Sequence, residues 1–215
     1  RLYCYWNNLI IYVMKIICVG RNYVEHIMEL NNEFPVDPVI FFKPESSLLK
    51  NKNFLHPSFS SEIHHEIELV YEILKKGKDI DKKDAINYIS KVGIGIDFTA
   101  RDIQSHNKKK GLPWGFSKSF DGSAAVSKLI SRNKIKDFNA INFLLKKNNI
   151  LVQKGSSNLM IYKIDFLISY ISNFITLEKG DLIFSGTPKG VGKVKIGDKL
   201  DGYHENEKIL SINIS

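Results

Sequence analysis

Between Ser61 and Ile73 the chain reads SEIHHEIELVYEI, with Ile67 and Leu69 alternating against Glu66 and Glu68. Successive side chains in extended backbone point to opposite faces, so this alternation predicts a strand over 62–74. Shorter apolar runs predict strands at 14–19, closed by Gly20, at 37–42, ended by Pro44, and through KVGIGIDFTA. Helical spacing covers 23–30. It returns in IDFLISYISNFITL, where Leu167, Ile168, Ile171, Phe174 and Ile175 fall on one stripe. Asp81 at the head of DKKDAINYIS predicts an N-capped helix. RDIQSHNKKKG suits a short helix with a basic last turn and Gly111 as its cap. INFLLKKNNILVQKG reads as a hairpin turning at Asn148 and Asn149. A strand then runs into the loop GTPKGVG, and two more strands flank DGYHENEK. Strands outnumber helices without regular βαβ alternation. The expected fold is therefore a mixed α/β, mostly β single domain over 14–215, not a doubly wound sheet.

Composition changes this picture little. A chain of 215 residues is long enough for one substantial core, and no internal repeat divides it. Residues 1–13, RLYCYWNNLIIYV, are apolar but too short to span a bilayer, and they lack a small-residue cleavage site. They are read as an N-terminal extension outside the functional unit, and no membrane association is expected. Two cysteines, Cys4 and Cys18, form no disulfide framework. That points to a reducing, cytoplasmic setting. The net charge of +8 raises nucleic acid as a partner. Yet the lysines are scattered, and their one dense run, Lys108-Lys109-Lys110, has no nucleic-acid motif around it. No nucleic-acid partner is expected; the same field favours an anionic small molecule.

The two glutamates carry the candidate chemistry. Alternate strand positions lie about 6.6 Å apart, close enough for both carboxylates to converge on one cation. Asp97, at the end of a glycine-bearing buried strand, is the natural third ligand, since a buried acid needs a partner. An all-carboxylate set favours Mg²⁺ or Mn²⁺ over zinc. His64 and His65 suggest an HExxH zinc site, but position 69 is Leu69. From spacing alone the glutamates suit equally a solvated face paired to lysines. GTPKGVGK is no phosphate loop: Gly186 and Gly192 are one residue too far apart and Val194 replaces the Ser or Thr. His26 and Glu29, three apart on a helical stretch, could form a base and its orienting partner, or a plain surface contact.

In order and spacing, CVGRNYVEHIMEL, HHEIEL, GIDFTARDIQ, KKKGLPWGFSKSFD and LIFSGTPKGVG resemble the fumarylacetoacetate hydrolase family. The similarity is greatest to its acylpyruvase and oxaloacetate decarboxylase branch and runs from Met14 to the C-terminus. The resemblance implies a β-sandwich roll, usually homodimeric, with Glu66, Glu68 and Asp97 holding Mg²⁺ or Mn²⁺. It implies a water-activating dyad at His26 and Glu29, and a catalytic lysine at Lys118. Arg21, Arg101, Gln104 and Thr187 become substrate contacts. The implied activity is hydrolysis or lysis of a C–C bond in a small 2-oxo acid; double-bond isomerisation of a dicarboxylic diene is the alternative. The early helix is expected to close over the substrate as a lid.

Overall fold

The computed structural model describes residues 14–215. The proposed extension, with Cys4, lies outside the described residues. Three sheets form the architecture. The largest places its strands in the order Val39–Lys43, Ile16–Gly20, Leu182–Phe184, Ile67–Ile73, Ile89–Asp97 and Ala124–Val126, and Ile130–Ser131 also pairs with Ile89–Asp97. Most neighbours run antiparallel, but Ile16–Gly20 lies parallel to Leu182–Phe184. That pairing joins segments far apart in the chain. A second sheet carries Ile150–Ser156, Asn142–Lys147, Lys199–His204, Glu207–Ile214 and Asn53–Phe54. The third is small: Gly192–Lys193, Ile63–His65 and Thr99–Ala100.

One main core draws on all three sheets, with Ile17 and Ile94 from the first, Leu200 from the second and Ile63 from the third. Burying these branched side chains is the principal driving force, about 1.5–3 kcal/mol for each large aliphatic residue. Helix α1 (Val24–Glu29) and helix α2 (Arg101–Lys109) bring residues to the cavity that the glutamates line, and helix α3 (Ile164–Phe174) buries Leu167, Ile168 and Ile171 in the core.

The mostly β character is as expected, and the hairpin turn is carried by Asn148 and Asn149 at φ 52° and 67°. Four details differ. The predicted strand 62–74 is broken at Glu66 into two pieces that join different sheets. At the break Ile67 N–H donates to the Gln153 side chain, so a tertiary partner replaces the ladder. The strand expected to end at Phe42 continues through Lys43. The DKKDAINYIS helix is instead a 3₁₀ segment, Lys82–Tyr88, and Asp81 makes no cap hydrogen bond. Seven residues bounded by a strand at Ile89 leave little room to propagate an α-helix. On α3, Leu167, Ile168 and Ile171 are buried, but Phe174 is 70% exposed. Its place on the inward side goes to Ser172, whose hydroxyl accepts the Ile80 N–H at 2.8 Å.

Candidate active site

A cavity of about 220 Å³ opens where the two glutamate-bearing segments meet α1 and α2. Such a volume suits a small acid better than a nucleotide. Glu66, Glu68 and Asp97 line it. All three are buried, and one oxygen from each lies within 4.8 Å of the others. Strand pairing explains the convergence: Asp97 N–H donates to the Glu66 carbonyl at 2.9 Å, and Glu68 stands opposite Gly95. Glycine is required at Gly95, since a Cβ there would lie 2.6 Å from the Phe184 ring.

Three buried carboxylates demand cations. Lys118 Nζ lies 2.8 Å from Glu66 and 2.6 Å from Asp97, and donates to Thr99 Oγ1 at 2.7 Å. Lys43 Nζ meets the other Asp97 oxygen at 2.8 Å and also donates to the Lys118 carbonyl and to Ser123. Arg101 pairs with Glu66 and donates to Gln104 Oε1 at 2.5 Å. Burial would raise the Glu66 carboxyl, but Lys118 and Arg101 outweigh it and hold the group well below the usual range. Among the described residues no cation forms an ion pair with Glu68. Burial first, then Asp97, push its carboxyl well above the usual range, and Gly186 N–H at 2.6 Å offsets this only in part. Burial would lower Lys118, yet Asp97 and Glu66 keep it protonated above its ordinary range. A divalent cation among the three carboxylates would supply the charge that Glu68 lacks, and an all-oxygen set suits Mg²⁺ or Mn²⁺. The donor set therefore fits such an ion.

Helix α1 brings His26 over this cluster. Its Nδ1 faces Glu29 Oε2 at 3.2 Å, while Glu29 Oε1 accepts the Gly190 N–H at 2.9 Å. Burial lowers the His26 pKa below 6.5, so the imidazole is neutral at pH 7. Arg21, just before the helix, lines the cavity in a left-handed conformation with φ 56°. A non-glycine residue held there stores backbone strain, as residues at ligand sites often do. The loop after Leu182–Phe184 supplies Thr187, whose hydroxyl accepts from Gln153 Nε2 at 2.9 Å. That loop turns at Gly186 with φ 100°, where a Cβ would press within 2.7 Å of Asn22.

All ten residues singled out from the sequence therefore gather at this cavity, nine on its lining and Glu29 behind His26. Sequence reading missed three others. Lys43 ends the run VIFFK just before Pro44, a lysine inside an apolar strand, and that oddity was its signal. Gln153 is fully engaged: it accepts from Ile67 N–H at 3.0 Å, faces His65 Nδ1 at 2.9 Å, and donates to Thr187 and Pro188. Nothing local in ILVQKG announces this. Lys108 follows Arg101 and Gln104 at helical spacing, so all three share the cavity-facing stripe of α2.

Comparison with known proteins shows the family. Residues 15–210 match the model of the fumarylacetoacetate (FAA) hydrolase C-terminal family. The mitochondrial oxaloacetate decarboxylase of Dictyostelium discoideum is 48% identical over 188 residues, covering 86% of each chain. The mitochondrial oxaloacetate tautomerase FAHD1 of Mus musculus is 42% identical over 188 residues, 87% of this chain and 85% of the mouse protein. Among solved structures, fumarylpyruvate hydrolase from Pseudomonas aeruginosa, in complex with Mn²⁺ and pyruvate, superposes with a TM-score of 0.89. It is 30% identical, covering 97% of this chain and 92% of that one. With matched sequence over nearly its whole described length and the same fold, this chain belongs to the fumarylacetoacetate hydrolase C-terminal family.

Proposed function

We propose that the protein is a divalent-metal-dependent enzyme that breaks a C–C bond in a small 2-oxo acid, by acylpyruvate hydrolysis, oxaloacetate decarboxylation or both. The observation that carries this reading is the convergence of Glu66, Glu68 and Asp97 in the cavity that also holds a buried, neutral His26. Glu66, Glu68 and Asp97 would hold Mg²⁺ or Mn²⁺, which when bound supplies Lewis acidity toward a keto oxygen.

The remaining chemistry belongs to the chain's own groups. Thr187 accepts from Gln153 and donates only over a long 3.5 Å to the Pro188 carbonyl, so its hydroxyl proton can turn to the carboxylate of the oxo acid. Glu29 fixes His26 through Nδ1, leaving Nε2 as the proton acceptor that draws a proton from water during hydrolysis. Lys118, already ionised, adds positive potential where negative charge builds on the departing oxo-acid fragment. Decarboxylation needs no attacking water, so it relies on Lys118 and the carboxylate cluster more than on His26.

Pyruvate release from acetylpyruvate and from oxaloacetate, with Mg²⁺ and in EDTA, tests the proposal. Wild type should release pyruvate only with metal, and His26→Ala should lose hydrolysis while keeping decarboxylation. Metal binding with no turnover of either substrate would move isomerisation of a dicarboxylic diene to the front.

A further inference from the structure

Part of the positive charge lining the cavity is not engaged by its carboxylates. Glu66 and Asp97 are already in contact with three cations, Lys43, Lys118 and Arg101, and Glu68 is left for a divalent ion. Two cations are left, Arg21 and Lys108, and both line the cavity. Arg21 is tied back, donating to the Glu33 carbonyl at 3.4 Å. Lys108 makes no ion pair among the described residues. Its ammonium lies 5.4 Å from the centroid of the Trp114 ring.

Lys108 is nevertheless held in place. Trp114 packs against Phe41 with ring centroids 5.3 Å apart, and Phe41 belongs to the strand that ends at Lys43. The neighbouring Asn107 side chain donates to the Pro113 carbonyl at 2.9 Å, fixing the end of α2 to the Trp114 segment. Although the residue keeps much solvent exposure, burial around the ammonium and the nearby Arg21, Arg101 and Lys118 lower its pKa to about 8. A cation repelled by its neighbours and lacking a protein counterion is suited to an anion from outside.

We propose that Lys108 is a specificity-determining residue that receives the far carboxylate of a dicarboxylic 2-oxo acid, so that the site selects dianions over monoanions of similar length. This rests on the oxo-acid reading above and adds the far end of the ligand. The near carboxylate and keto group go toward Thr187 and the carboxylate cluster. Lys108 lines the same cavity seven residues, about two helical turns, along the stripe from Arg101. A charge-assisted hydrogen bond formed there changes affinity by about tenfold.

The test uses two unreactive ligands that differ by one carboxylate, lactate and malate, titrated calorimetrically into the Mg²⁺-loaded protein. Wild type should bind malate about tenfold more tightly than lactate. Lys108→Met should bring the two within about twofold by weakening malate alone, and Lys108→Arg should restore most of the preference. Should Lys108→Met fold poorly, Lys108→Gln takes its place. In parallel, kcat/KM is measured for oxaloacetate and acetylpyruvate, which carry a carboxylate and an acetyl group at the far end. Lys108→Met should lower the oxaloacetate value, through KM, by about tenfold more than the acetylpyruvate value. Equal binding of malate and lactate by wild type overturns the proposal, as does equal weakening of both by the variant. Malate preference without turnover of either substrate would overturn the oxo-acid chemistry and leave dianion recognition standing.

Discussion

Replacing Glu68 by glutamine should make the metal-free protein more stable while removing its response to metal. Glu68 is 2% exposed and stands beside Glu66 and Asp97. Its sole hydrogen bond among the described residues comes from Gly186 N–H, which an amide oxygen can still accept. Burial and the neighbouring carboxylates raise its pKa well above the ordinary 4.5. For a carboxyl raised on folding, the unfolded chain gives up its proton first. Stability is therefore unaffected below the ordinary value and falls as pH climbs from there through the raised one. At neutral pH, above the ordinary value, that loss is under way, and the glutamine variant does not incur it. Neutralising one uncompensated buried carboxylate should yield about 1–2 kcal/mol, discounted for relaxation of its neighbours. The assay is chemical denaturation in EDTA, from pH 4.5 to 8, repeated in saturating Mg²⁺. Wild type should gain about 2.7 kcal/mol at a metal concentration a hundred times the dissociation constant. For a chain of this size that is roughly 5–10 °C in Tm. Glu68→Gln should exceed wild type in EDTA by a margin that widens with pH, and should lose the Mg²⁺ gain. A variant less stable than wild type in EDTA, or one still stabilised by Mg²⁺, would refute the reasoning.

Other expectations follow from the same geometry. Lys43→Met leaves Asp97, fully buried, with one cation in place of two, and should cost about 3–5 kcal/mol by urea denaturation; a loss under about 1 kcal/mol would deny Lys43 its structural role. The acid limb of the hydrolysis pH profile should fall below 6.5, because burial lowers His26; Glu29, which raises it, makes Glu29→Gln move the limb further down. A limb above 6.5 would exclude His26 as the group observed. Gln153→Leu strips partners from the Ile67 N–H and the Thr187 hydroxyl and should destabilise by about 3 kcal/mol or more, with KM rising through the misplaced Thr187. Oxalate should slow amide exchange over residues 21–33 if α1 closes on the ligand; unchanged protection speaks against a lid.

Much of the site was readable along the chain because its residues sit in short local patterns. Glu66 and Glu68 two apart, and His26 and Glu29 three apart, each encode a shared face by backbone period alone, whereas Arg101 and Gln104 were reached only through the family resemblance. Asp97 was legible because an acid at the end of VGIGID contradicts its surroundings. Lys108 obeys the same helical period as Arg101 and Gln104, yet its position within three consecutive lysines disguised it as surface charge. Lys43 and Gln153 were lost for a different reason. Their partners lie 54 and 34 residues away or more, at Asp97 and Thr187, and no local period reports such a contact.

The alternation of apolar and polar residues, by itself, determined the mostly β character, the hairpin at Asn148 and Asn149, and the pairing of the two glutamates on one side of the backbone. These are properties of a few consecutive dihedral angles and of water's exclusion from apolar faces. Whether those glutamates face solvent or a buried cluster was open in the sequence. The tertiary structure decided it, by breaking the strand at Glu66, bringing Asp97 alongside, and enclosing both with Lys43, Lys118 and Arg101. It also decided that Ser172, not Phe174, turns inward on α3. The reason in each case is that burial and charge compensation depend on groups distant in the chain, which only the packed fold places within a few ångströms of one another.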